Sequence, residues 1–205
     1  MRKPYHHGHL REALLEAARA RLAEGGESEL SLRDLAARVG VSVNATYRHF
    51  ESKEAMLVEL AAGGFDALRA DLRDAVASAG AVSALRRLNV VGEAYVGFAN
   101  RDPALFRLMF GREGRFESDE RFREAAGAAF MVLVECVAAV REEPPDAPEV
   151  IRAAIAAWSV AHGFATLGIE GYLQALPAAQ RPTAREVVSR LDVNDGGRRE
   201  PNLAG

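Results

Sequence analysis

Between Leu10 and Leu60 the apolar residues recur three and four apart, and Gly25-Gly26, Ser31, Gly40, Ser42 and Ser52 cut the runs at short intervals. Helical spacing with punctuation this close leaves room for short helices joined by tight turns. Leu10, Ala13, Leu14, Ala17, Ala18 and Leu22 mark a first helix, which the paired glycines stop. Ser31, with Asp34 three positions on, predicts a capping-box-like start to a second helix; its apolar face is Leu32, Leu35, Ala36 and Val39, and Gly40 ends it. Ser42 caps a third helix to about Phe50, and Ser52, with Glu54 in the first turn, caps a fourth.

The fourth helix keeps one phase through Met56, Leu60, Leu68, Leu72 and Val76 to about Ser78, so it connects the N-terminal unit to the rest. Gly63 and Gly64 lie within it, each costing about 1 kcal/mol relative to alanine, which suits either a pivot or close packing against a neighbour. Further helices are predicted around 81–100, 103–110, 118–142, 147–174 and 183–191, divided by Asp102-Pro103, the Gly111 to Gly114 turn, Pro144-Pro145 and Pro177. No segment alternates as a strand does, and no repeat is visible. The expected fold class is all-α with about nine helices.

Several functions lose their support on composition. The first ten residues are polar and basic, unlike a secretory signal, and predict a cytoplasmic protein. The longest uncharged run, Ala153 to Ile169, has 17 residues against the roughly 20 of a membrane span, and it carries Ser159, His162 and Thr166. It reads as a buried helix, with no membrane partner. The single cysteine, Cys136, rules out an intrachain disulfide and a cysteine zinc cage; set in the apolar stretch Phe130 to Val140, it reads as a structural thiol. His6, His7 and His9 are too tightly spaced for a metal site and suit an arm that touches DNA backbone or is disordered. No Ser-His-Asp order, phosphate loop or paired-carboxylate setting is visible, so neither an enzyme nor a cofactor is expected.

Charge is more informative by position than in total. The net formal charge is -3, yet residues 1–57 hold nine Lys and Arg against eight Asp and Glu, with four of the five histidines, while the remainder holds 17 against 21. That asymmetry has the sign of a nucleic-acid surface beside an acidic body.

The segment Gly40 to Leu57 reads GVSVNATYRHFESKEAML after the helix SLRDLAARV, giving helix, tight turn and helix with glycine at the turn. A recognition helix offers its first turns to base edges, while its far end and flanking loops hold phosphates. Val43, Asn44 and Ala45 are small enough for close approach after Ser42. Asn44 matches the paired hydrogen bonds of adenine, and Val43 or Ala45 the thymine methyl. Arg33, early in the preceding helix, reaches a guanine or a phosphate, and Arg48 suits either surface. Phe50 reads as core. Taken alone, Tyr47 suits the core equally, Lys53 suits a solvated charge, and Arg33 suits a pair with Asp34 or Glu29; only their joint register favours DNA.

In this register the chain resembles the TetR family, whose signature couples a Gly-Val-Ser turn to a Tyr-x-His-Phe recognition helix and a Ser-Lys-Glu start to the next. The opening Pro4-Tyr5-His6-His7-Gly8 with Leu10-Arg11, and Trp158 followed by His162-Gly163, resemble the subgroup with a Trp-His-Gly C-terminal domain. The resemblance implies that Tyr47, His49 and Lys53 hold phosphate oxygens, Lys53 helped by the backbone NH groups that open the fourth helix. It departs from the family at Asn44-Ala45 and Thr46, so the operator sequence is not inferable. The implied organisation is a helix-turn-helix DNA-binding domain with its arm over 1–55, a regulatory and dimerisation domain over 56–192, and a disordered tail over 193–205. Its partners would be a palindromic DNA operator, a second copy of the chain and a small-molecule effector, acting as a repressor by family default. The other reading is a ligand-sequestering helical bundle without specific DNA binding.

A control domain needs a cavity, and the candidates are Phe65, Leu68, Tyr95, Phe98, Phe106, Met109, Phe110, Phe130 and Met131, most of which suit ordinary core equally. Trp158 and His162, four apart on one face, can meet, and the histidine needs a partner if buried. On the same helix Ala154, Ala157, Ala161, Ala165 and Gly168 form a small-residue stripe suited to a dimer interface or to packing inside one protomer.

Overall fold

The computed structural model describes residues 9–111, 116, 118–191 and 193. The arm with His6 and His7, most of the turn to Gly114 and the tail beyond Val193 lie outside the described residues. Among those described are nine α-helices and no strand. The chain divides into two compact units, Met1–Ala67 with Asp102–Gly127, and Leu68–Arg101 with Ala128–Gly205.

In the first unit α1 (Leu10–Gly25) buries Leu10, Leu14, Ala18 and Leu22 along one side. After a 3-10 turn at Glu27–Glu29, α2 (Leu32–Val39) starts where the Ser31 Oγ accepts from the Asp34 backbone NH at 3.1 Å. The Asp34 carboxylate does not complete a capping box, because Arg38 takes it at 3.0 Å. Gly40, at φ 79° and ψ 33°, closes α2 by donating its NH to the Ala36 carbonyl. That left-handed backbone strains any residue with a Cβ. The helix α3 (Val43–Tyr47) stops short of the expected Phe50, and the chain leaves it through a tighter turn in which the His49 NH donates to the Thr46 carbonyl three residues back.

Ser52 caps α4 (Lys53–Ser78) at the Ala55 NH, and the helix runs unbroken through Gly63-Gly64. Its residues to Ala67 belong to the first unit, together with α6 (Pro103–Phe110) and the start of α7 (Glu120–Arg141). Asp102 caps α6 at the Leu105 NH, and its carboxylate also receives the Arg19 Nε at 2.6 Å, fastening α6 to α1. Phe65, Phe110 and Phe122 meet edge to face, with ring centroids 5.2 and 5.4 Å apart.

The second unit holds the remainder of α4 and α7 with α5 (Ala84–Arg101), α8 (Pro148–Ile169) and α9 (Ala184–Val188). Ser83 sets the start of α5 by accepting from the Arg86 NH, and Thr183 with Glu186 forms a full capping box on α9. The helix expected over 147–174 ends at Ile169, because Gly171 turns left-handed at φ 84° and Tyr172–Ala175 form a separate 3-10 turn. α8 packs on α5 and α9, and its Ala154, Ala161 and Ala165 are all buried, so those three small residues are enclosed within the protomer rather than offered to a partner; Ala157 and Gly168 are half-buried. At 22 residues α8 is, among those described, the one helix long and apolar enough to cross a bilayer by length and composition, with 28% of that stretch buried. Val193, expected in the tail, is buried, and its carbonyl accepts from Arg141 at 2.6 Å.

The two glycines of α4 have different surroundings. A Cβ on Gly64 would lie 2.6 Å from the Met109 Sδ and 3.3 Å from a Leu105 methyl, whereas one on Gly63 would meet nothing within 4 Å. Close packing therefore accounts for Gly64. Gly63→Ala should raise the unfolding free energy by up to about 1 kcal/mol through helix propensity. Gly64→Ala should gain less, or lose stability, because Met109 must shift. Urea denaturation of the two variants measures the difference, and equal gains would contradict this packing.

Candidate nucleic-acid interface

The outward face of α3 is set by what its inward face buries. Thr46 is fully buried and Phe50 is 2% exposed. Asn44, Tyr47 and Arg48, spaced at i, i+3 and i+4, share the opposite side, and all three are exposed together with His49. Tyr47 is 53% exposed, which removes it from the core, while Phe50 takes the core role expected of it. Val43 and Ala45 are half-buried at the flanks. The Ser42 Oγ caps α3 by accepting from the Ala45 NH at 3.2 Å, so its hydroxyl already orients the helix. Arg33 is exposed on α2.

Cations of this unit fall into two groups. Arg11 pairs with Glu59 at 2.6 Å and lies over the Phe50 ring. Arg21 meets Glu24, Glu29 and Asp34, and Arg38 meets Glu24 and Asp34. The Arg38 guanidinium holds the Glu24 carboxyl below its ordinary value. Arg33 and Arg48, by contrast, make no ion pair among the described residues. Neither the Asp34 nor the Glu29 pairing considered for Arg33 forms; Arg21 and Arg38 hold Asp34, and Arg21 holds Glu29. Lys53 is not a free surface charge: its Nζ donates to the Glu27 carbonyl at 2.6 Å, which fastens the start of α4 to the 3-10 turn. The sequence reading missed this role and the carboxylate sorting. Only the Asp34-Arg38 spacing of four residues could have signalled part of it.

The effector candidates are divided between the two units. Phe65, Phe106, Met109 and Phe110 belong to the first unit, the first three buried and Phe110 half-buried. In the second unit Leu68 and Phe98 are buried core, and Met131 is 40% exposed. Phe130, Tyr95, Trp158 and His162 do come together there. The Trp158 indole NH donates to the Tyr95 hydroxyl at 3.1 Å, that hydroxyl lies 2.8 Å from the His162 Nδ1, and the Phe130 ring is 5.8 Å from the indole. Burial pushes the phenol well above its usual range, so it remains a donor, and its one hydrogen points to His162 while it accepts from Trp158. Neutral His162 must then accept at Nδ1. A cavity of about 490 Å³ lies elsewhere in this unit, lined by none of the effector candidates.

Two helices joined by a glycine turn, the second with an exposed polar and cationic face, define a helix-turn-helix DNA-binding protein. Residues 14–60 match the profile of "Bacterial regulatory proteins, tetR family", and residues 88–191 match "Tetracyclin repressor-like, C-terminal domain". The chain belongs to the TetR family of bacterial regulatory proteins. A Rhodococcus sp. RHA1 protein of unknown function is similar over 92% of this chain and 94% of its own, with 35% identity and a TM-score of 0.77. The ketosteroid transcriptional regulator KstR2 of Mycobacterium tuberculosis is similar over 88% of this chain and 89% of its own, with 27% identity and a TM-score of 0.56. The nucleoid occlusion factor SlmA of Sodalis glossinidius is 35% identical over 116 residues, 53% of this chain and 54% of its own. The chain thus spans about half the length of the curated relatives it matches.

Burial lowers the His162 pKa below its ordinary 6.5. Between the depressed value and 6.5 the unfolded chain binds more protons than the folded one, so stability falls as pH drops through that window. Urea denaturation at about pH 7.5 and about pH 5.5 should show this loss, and His162→Gln, which keeps an acceptor for Tyr95, should shrink it. An unchanged pH difference in the variant would place the titrating group elsewhere.

Proposed function

We propose that this regulator is a cytoplasmic repressor which binds a palindromic operator as a homodimer and is released by a small-molecule effector. The observation that carries the reading is the exposed face of α3, where Asn44, Tyr47 and Arg48 stand outward with Arg33 nearby in sequence, its guanidinium likewise unpaired. Asn44, with Val43 and Ala45 beside it, reads base edges. Tyr47, His49, Arg48 and Arg33 hold phosphates or a guanine. Lys53 keeps donors beyond the one given to Glu27, so it can reach a phosphate at the start of α4 while fixing the turn. Trp158, His162 and Gly163 on α8 support membership of the subgroup with a Trp-His-Gly C-terminal domain.

Selection from a random duplex pool at near-physiological salt should recover a palindrome bound with nanomolar affinity. Asn44→Ala should then lose about 1–3 kcal/mol of discrimination at one base pair per half-site. Arg48→Ala should weaken all sequences alike and lower the salt slope by about 1 per protomer. Weak, sequence-blind binding by the unaltered protein would instead make it a ligand-sequestering helical bundle.

Homodimerisation is supported by the other side of α8. Ile155 is 49% and Leu167 45% exposed on a helix whose inner side is filled by α5. Apolar side chains that stand in water on a long helix suit a twofold partner, which would set two reading heads about 34 to 36 Å apart. Light scattering of a variant with Ile155→Glu and Leu167→Glu should give monomers with unchanged helical circular dichroism. A persistent dimer would move the interface to another surface.

A further inference from the structure

The cavity of the second unit is walled by the end of α4, the start of α5 and the second half of α7. Its volume of about 490 Å³ falls within the range of small-molecule sites. Val76, Val132 and Cys136 give it an apolar floor. Its charged groups differ in what already satisfies them. Arg73 is engaged by Glu135, Nη1 to Oε2 at 3.2 Å, and Asp74 is exposed to water. Arg87 is left over: it is half-buried, and its guanidinium makes no ion pair or hydrogen bond among the described residues.

A partly desolvated cation without a partner gains more from an incoming anion than a solvated one does. The planar guanidinium favours a carboxylate, which can take two parallel hydrogen bonds. The Cys136 thiol extends the apolar floor, because burial holds it protonated; Glu135 pushes its pKa in the same direction, and Arg87 and Arg73 in the other.

We propose that this cavity binds a small organic acid, its carboxylate on Arg87 and its apolar body against Val76 and Val132. The proposal rests on the effector reading above only for its consequence at DNA; the binding stands on the cavity itself. None of the aromatic residues singled out from the sequence takes part.

Isothermal titration calorimetry of the full chain with 4-phenylbutyrate, 4-phenylbutanol and 4-phenylbutylamine separates head group from body. The acid should bind at least about tenfold more tightly than the alcohol, and the amine more weakly still. Arg87→Gln should remove the advantage of the acid while leaving the alcohol unchanged. Ala139→Phe, which fills the cavity from an exposed position, should abolish both. Circular dichroism checks that each variant is folded. An amine that binds as well as the acid, an acid whose affinity survives Arg87→Gln, or no acid binding up to millimolar concentration would overturn the proposal. Operator affinity measured with and without the acid separates the two readings. Acid binding through Arg87 without a change at DNA upholds the site and refutes effector control, whereas intact operator binding without acid binding removes the site and leaves the regulator.

Discussion

Five residues cannot hold a helix by their own backbone hydrogen bonds, since isolated helices shorter than about 12 to 15 residues are marginal in water. The helix that would read DNA here, α3, has five. It persists because its entry is fixed by the left-handed Gly40 and the Ser42 cap, and because Thr46 and Phe50 are driven into the core behind it. Every property of the outward face depends on that anchoring. With Thr46 and Phe50 turned in, helical geometry leaves Asn44, Tyr47 and Arg48 no direction but out. The Thr46 hydroxyl is buried without a hydrogen-bond partner among the described residues, so the residue holds its place by shape and carries a polar cost of about 1–3 kcal/mol.

Electrostatics then act on a face that packing has already exposed. Residues 1–57 are nearly neutral, and a neutral unit would have little reason to approach a polyanion. Pairing changes the count that matters. Glu59 pairs with Arg11, while Glu24, Glu29 and Asp34 gather on Arg21 and Arg38, two cations against three carboxylates, so most of this charge cancels locally and one negative charge is left there. Among the described residues up to 57, the guanidinium groups without carboxylates, Arg33 and Arg48, belong to α2 and α3, the two helices of the turn motif. A weak overall charge therefore coexists with a local cationic face.

What was legible in the sequence was local. Ser31, Ser42 and Ser52 all cap as their spacing implies, because the acceptor and the NH it satisfies lie three residues apart. The boundaries of α6 match the expected 103–110 for the same reason. Choices between equivalent patterns were not legible. Tyr47 and Phe50 are aromatics three apart, and only packing decides that one is solvated and the other enclosed. The role of Lys53 depends on a carbonyl 26 residues away. The cavity between α4, α5 and α7 was not legible either, because large side chains at helical spacing tend to fill space, whereas this one is bordered by alanines, valines and charged side chains.

The same ambiguity governs α8, and there the structure turns it into an argument. A stripe of small residues permits a close helix neighbour whether that neighbour is in the same chain or in another. Here α5 occupies it, and the Tyr95 hydroxyl reaches Trp158 and His162 from the same helix pair, with a polarity that requires neutral histidine. A helix apolar all round belongs in a core. One that packs on α5 and still shows Ile155 and Leu167 to water has apolar surface unaccounted for within the protomer. The small residues thus answer to the fold, and the large exposed ones are where selection for a partner would act.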